Sequence, residues 1–227
     1  MGETLKGYRL INTKYPKIAL FEDVASEDEF EALYALQALT NPRLQNEAGD
    51  VSLIHPSEIP YDCPHKSYAV APFTHINKDG SRFADGSKGA FYIADNETTA
   101  QAEVFYHHDR YYRNVESLHY DKFSLQTLEV CFDAPNLYDL SEYPADHPVL
   151  HPTSYVQSQA FANELIADGY DGIHYPSVRL SGATNWVLFS PKHITSTKPT
   201  TKIYMTWDGT KISQLALEKP IKTPGSD

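Results

Sequence analysis

The sequence predicts an α+β fold in a single domain. Three observations predict it. Strand-like and helix-like segments are interspersed without the regular alternation of a doubly wound sheet. Asp208-Gly209 stands between two strand-like runs, a hairpin signal. The chain has 227 residues, 41% hydrophobic and 22% charged, the composition of one ordinary globule able to bury a core without disulfides or metal. The expected architecture is mixed short β-sheets with flanking helices. Residues 1–227 form one unit, with a helical N-terminal region (1–65), a motif-bearing core (about 66–194) and a C-terminal hairpin (195–227).

The elements follow in order. Ser26 and Glu29 form a capping box, and Phe30, Leu33 and Tyr34 mark one apolar helix face that Asn41-Pro42 ends. Gly49 to His65 reads as turns and short strand, with Val51 to Ile54 the strand-like part. Tyr68 to Phe73 is apolar enough for a buried strand. Asp79 to Gly89 is rich in Gly and Ser around Arg82 and reads as a loop. Ala90 to Ala94 is a short strand. Asp95 or Asn96 then caps a helix running to about His108. Gln126 to Phe132 alternates as a strand does. Ser154 to Asp168 is a helix closed by Gly169. Gly172 to Tyr175, Trp186 to Phe189, Lys202 to Trp207 and Thr210 to Leu215 are strands.

Charge and composition exclude several classes. Lys+Arg is 19 and Asp+Glu is 30, a formal charge of −11, which repels phosphate backbones and makes nucleic acid a poor partner. No apolar run approaches the roughly 20 residues that span a bilayer, and Met1 to Lys6 opens no secretory signal. The two cysteines, Cys63 and Cys131, have no metal-ligand spacing and suit a reducing cytoplasm. Phosphate-loop, dinucleotide and nucleophile-elbow motifs are absent, and the ten histidines include no H-E-x-x-H pair, so no metal is expected.

Two segments carry chemistry. In the first, Arg82 lies in the Gly/Ser-rich loop, Tyr92 mid-strand ten residues on, and Glu103 in the helix eleven residues further. Ala100, Glu103, Val104 and His107 share one helix face. Two of them are apolar, so the face turns inward and takes Glu103 with it. An inward carboxylate is costly unless it is paired or used. A structural salt bridge to a nearby arginine and a functional acid both satisfy that condition. In the second segment, Asp171-Gly172-Ile173 leads to Pro176, whose turn displays Ser177 and Arg179. Ser177 there either bonds local backbone or serves the site.

Arg82, Glu103 and Ser177 match the three residues for which the RES domain is named, and Tyr92 falls where that family has its tyrosine. The chain resembles the family in Gly80-Ser81-Arg82-Phe83, Tyr92-Ile93-Ala94, Thr99 to Glu103 with His107, and Asp171-Gly172-Ile173 through Ser177-Val178-Arg179. Thr40-Asn41-Pro42-Arg43 resembles longer members. The likeness runs from about Leu10 to Ile194. It implies a fold similar to ADP-ribosyltransferase toxins and a bacterial toxin that consumes NAD, neutralised by an Xre-type antitoxin. NAD is then substrate, and no cofactor is needed. Shorter members have a further arginine before the loop, where this chain reads Phe73-Thr74-His75. Phosphate binding would then lean on Arg82 with help from His75, Arg43, Lys88 or Arg179, and Asn185 joins the expected NAD contacts.

The implied chemistry is cleavage of the nicotinamide–ribose bond through an oxocarbenium-like transition state. Glu103 would stabilise the growing positive charge, an interaction of roughly 4 kcal/mol at 4 Å and an effective dielectric of 20. Arg82, on a flexible loop, would grip the pyrophosphate. Tyr92 would stack on nicotinamide, and Ser177 would orient Glu103 or the nicotinamide amide. Hydrolysis of NAD, ADP-ribosyl transfer to a protein acceptor, and a silent binding module are the competing outcomes.

Overall fold

The computed structural model describes residues 4–14, 21–22, 24–40 and 49–218. Eight strands form one sheet: β1 (Leu5–Asn12), β2 (Phe91–Ala94), β3 (Asp121–Phe132), β4 (Leu137–Asp139), β5 (Gly172–Pro176), β6 (Thr184–Leu188), β7 (Ile194–Trp207) and β8 (Ile212–Glu218). Their order is β4-β5-β6-β2-β1-β3-β7-β8. Neighbours run antiparallel except β4 beside β5. Helices α1 (Glu27–Thr40), α2 (Lys66–Thr74), α3 (Glu97–Arg113) and α4 (Val156–Ala167) flank it. The α+β class holds, but the sheet is one continuous frame rather than several short ones.

The frame is long because β3 and β7 are long. They pair from Asp121↔Trp207 to Phe132↔Ile194. Pro199, which has no N–H to give a ladder, sits opposite Leu128 beside a register shift, the place a central strand tolerates it. The expected hairpin at Asp208-Gly209 is present, joining β7 to β8. The C-terminal strands are therefore part of the main sheet.

Three buried clusters fill the faces. Phe73, Phe91, Leu128, Val130 and Phe132 belong to one, against α2. Phe83, Leu140, Leu165, Ile173 and Val187 belong to a second, under α4. Leu10, Ala94, Ala100, Leu125 and Ile203 belong to a third, where α3 crosses β1.

Two strand expectations are overturned. Tyr68 to Phe73 lies within α2, and Val51–Leu53 is a single 3₁₀ turn capped by Asp50, which accepts from Ser52 N. A six-residue apolar run does not distinguish a strand from a buried helix. The alanines favour helix, and Pro72 is foreign to a central strand. The helix beginning at Glu97 runs five residues past His108. At α1, Glu29 N donates to Ser26 Oγ at 3.3 Å, and Glu29 Oε2 accepts from Ala25 N at 2.7 Å, so the reciprocal bond lands one residue before the cap. Phe30 is buried beneath it. The side chains of Leu33 and Tyr34, and Asn41, Pro42 and Arg43 entirely, lie outside the described residues.

Candidate active site

A crevice of about 430 Å³ opens where β1 meets β2. These strands share one paired position, Tyr8↔Ala94. Gly7 makes that approach possible: a Cβ there would lie 2.4 Å from Ile93 Cγ2 and 2.6 Å from Ala94 O. Arg9, Tyr92, Glu103, His107 and Asn185 line the crevice with Arg82, and Tyr155 and Tyr175 close one wall.

Glu103 reaches this space from α3. Asn96 starts the helix by accepting from Thr99 N at 2.9 Å, and Asp95 Oδ2 accepts from Thr184 N at 3.1 Å, which ties the helix start to β6. One carboxylate oxygen, Oε1, accepts from Ser177 Oγ at 2.8 Å and from Asn185 Nδ2 at 3.1 Å. The other, Oε2, lies 4.0 Å from Arg179 Nε. The Glu103 side chain is 24% exposed, open enough to meet a ligand yet held by two donors.

Ser177 bonds both the local backbone and Glu103. Its Oγ accepts from Arg179 N and Leu180 N, each at 3.2 Å. A hydroxyl has two lone pairs and one proton. The turn takes the lone pairs, so the proton goes to Glu103.

Arg82 differs from expectation in one respect. Its loop is pinned rather than flexible, and the arginine is only 7% exposed. Arg82 Nη1 donates to His151 O at 2.9 Å, and the guanidinium sits 4.9 Å from the Tyr155 ring centroid. Ser158 Oγ donates to Arg82 O at 2.5 Å, and Gln159 Nε2 donates to Ser81 O at 2.9 Å, so the first turns of α4 grip the loop. Gly80 turns the loop at φ +74, in the left-handed region that favours glycine.

Tyr92 lines the crevice, but its hydroxyl is committed elsewhere. It accepts from Phe83 N at 2.9 Å and shares a hydrogen bond with Ser81 Oγ at 2.7 Å. These contacts bracket Arg82. Burial pushes the phenol pKa up, so it stays a neutral hydrogen-bonding group.

The second cation of the crevice is Arg9 on β1, which the sequence reading missed. Its Nη1 donates to Tyr92 O at 2.9 Å, and its guanidinium lies 4.6 Å from the Phe91 ring centroid. Its Nε–H is buried without a partner. Desolvation lowers its pKa to about 10, which still leaves it charged at neutral pH. Arg9 lies one residue ahead of Leu10, where the resemblance begins. Tyr155 and Tyr175 were missed too. Nothing in spacing points to them, because α4 and β5 bring them in.

The remaining expected contacts divide. Asn185 is buried on β6 and holds Glu103. Arg179 lies beside Glu103, 3.5 Å from the Tyr106 ring centroid, and donates from Nη2 to Pro152 O. Its Nε is buried and, beyond the 4.0 Å ion pair with Glu103, makes no hydrogen bond. His75 and Lys88 are exposed and do not line the crevice. His75 ends α2 and contacts Thr74 Oγ1 at 3.2 Å. Phe73-Thr74-His75 turned away from the crevice because that segment is helical, which removes the geometric basis for a phosphate contact there. Among the described residues, no group of three or more His, Cys, Asp or Glu could hold a metal ion, and no helix is long and apolar enough to cross a membrane.

The crevice thus brings together a carboxylate held by a serine and an amide, two arginines and several tyrosines. The chain belongs to the RES-domain family, whose model matches residues 59–208. It is 40% identical over 95 residues to the uncharacterized protein y4oC of Sinorhizobium fredii (strain NBRC 101917 / NGR234), a match covering 42% of this chain and 40% of that one. The chain thus spans about two fifths of that relative's length. Among solved structures, it is similar to the M. tuberculosis MbcT–MbcA toxin–antitoxin complex, with TM-score 0.32 and 15% identity over 58% of this chain and 66% of that chain.

Proposed function

We propose that this protein cleaves the nicotinamide–ribose bond of NAD, releasing nicotinamide and ADP-ribose, and that it acts as a cytoplasmic toxin restrained by an Xre-type antitoxin. The observation that carries the chemistry is Glu103. Two neutral donors fix its carboxylate inside a crevice that also contains Arg9 and Arg82. A volume of about 430 Å³ is in the range of small-molecule sites.

The reaction expels a neutral base from a cationic ring, so positive charge builds on the ribose. Glu103 supplies a pre-oriented negative charge there, with no reorganisation needed at the moment of reaction. Ser177 and Asn185 hold the carboxylate oxygen in place from one side. Arg82 and Arg9 supply cations for the pyrophosphate, and Arg9 has a buried N–H to spare. Tyr155 and Tyr175 supply ring surfaces. The toxin role and the antitoxin come from membership of the family, and a charge of −11 suits a basic partner.

The test is purified protein with NAD alone. Release of nicotinamide with free ADP-ribose supports hydrolysis. Release that needs an added protein acceptor, with ADP-ribose on that protein, replaces it with transfer. No release under either condition, from folded protein, overturns the reading.

A further inference from the structure

Hydrolysis leaves a proton to be placed. The water oxygen bonds to the ribose carbon, the carbon–nitrogen bond breaks, and its electron pair neutralises the nicotinamide nitrogen. The attacking water must lose a proton. Glu103 is poorly placed to take it, because Ser177 and Asn185 both donate to Oε1 and Oε2 faces Arg179 Nε at 4.0 Å. The crevice's phenols, amides, hydroxyl and guanidinium groups are poor bases at neutral pH.

His107 is the exception. It lines the crevice one helical turn beyond Glu103, on the same face of α3. Its ring stands edge-on to Tyr106, with centroids 5.3 Å apart. The residue is exposed, so the imidazole can meet water and pass a proton outward.

We propose that His107 is the general base of the hydrolytic step, taking the proton of the attacking water and then releasing it to solvent. This rests on the reading of the crevice as a NAD-cleaving site. The charged groups facing the imidazole are Glu103 and Arg110 from its own helix, Arg82 from the loop and Arg179 from the turn after β5. Desolvation by the crevice wall lowers its pKa from the usual 6.5. Glu103 opposes that shift, and the three arginines add to it. The imidazole is therefore the neutral, accepting form at neutral pH.

The experiment compares wild type with His107→Gln in the full chain, using NAD and two nucleophiles, water and azide. Azide is an anion and brings no proton to lose. His107→Gln should lower kcat for hydrolysis by about 10²-fold or more with little change in KM. It should keep the rate of azide-adduct formation within about threefold. Wild-type kcat should rise with pH through a pKa below 6.5, and the variant should lose that limb. Equal loss of hydrolysis and azidolysis, or an unchanged pH limb in the variant, overturns the proposal. A wild-type protein that releases no nicotinamide overturns the NAD reading itself, and this proposal falls with it.

Discussion

Ser177 and Glu103 lie 74 positions apart in the chain and meet at 2.8 Å. The serine has no freedom in the matter. Two turn amides occupy its acceptor sites, so its proton is committed to the carboxylate. Ser177→Ala removes a hydrogen bond to a charged group, worth about 1.5–3 kcal/mol. If the bond acts in the transition state, kcat for nicotinamide release falls roughly ten- to a hundredfold, with KM nearly unchanged. A rise in KM with kcat unchanged would place Ser177 in ground-state binding instead.

Tyr92 separates two accounts of the same residue. A stacking role tolerates Tyr92→Phe. The observed hydroxyl, bonded to Phe83 N and Ser81 Oγ, does not. Losing it leaves a backbone N–H unsatisfied, a cost of about 1–3 kcal/mol, and frees the loop that presents Arg82. Tyr92→Phe should raise the Kd for ADP-ribose about tenfold or more, measured by calorimetry. Unchanged affinity would return the ring to the stacking role.

Arg9 should behave as a second binding cation. Arg9→Ala should weaken ADP-ribose binding by at least as much as Arg82→Ala, while Lys88→Ala and His75→Ala leave it unchanged. The latter pair lies outside the crevice. Equal losses at all four positions would mean a diffuse electrostatic effect, which added salt would abolish.

Gly7 should tolerate no side chain. In Gly7→Ala, the new Cβ would press on Ile93 Cγ2 and Ala94 O. Overpacking of this kind costs about 1–3 kcal/mol, and Tm falls roughly 2–4 °C per kcal/mol at this chain length. A thermal melt gives the number directly. A melt at the wild-type temperature would show that β1 and β2 can part without cost.

The sequence made the site more legible than the frame around it. Glu103 could be placed inward because Ala100 and Val104 share its face, and Asn96 marked where that helix begins. Arg82 and Ser177 stood in turns that their Gly, Ser and Pro neighbours announce. Arg9 escaped because one arginine in an alternating strand looks like any solvent-facing residue until the strand's partner is known. Tyr68 to Phe73 escaped because the partly exposed positions of that helix, Tyr68, Ala71 and Pro72, are as apolar as the buried ones, which erases the periodicity that separates helix from strand. The length of β7 was hidden by Pro199, which reads as a break unless a bulge is there to absorb it.

Nicotinamide release from NAD by purified wild-type protein and by Glu103→Gln tests the central claim most directly. The substitution keeps the side-chain shape and removes the charge. Wild type should turn NAD over, and the variant should lose activity by at least two to three orders of magnitude, the scale of a lost electrostatic stabiliser, while melting at a similar temperature and still binding ADP-ribose. A Glu103→Gln protein that releases nicotinamide at the wild-type rate contradicts the account.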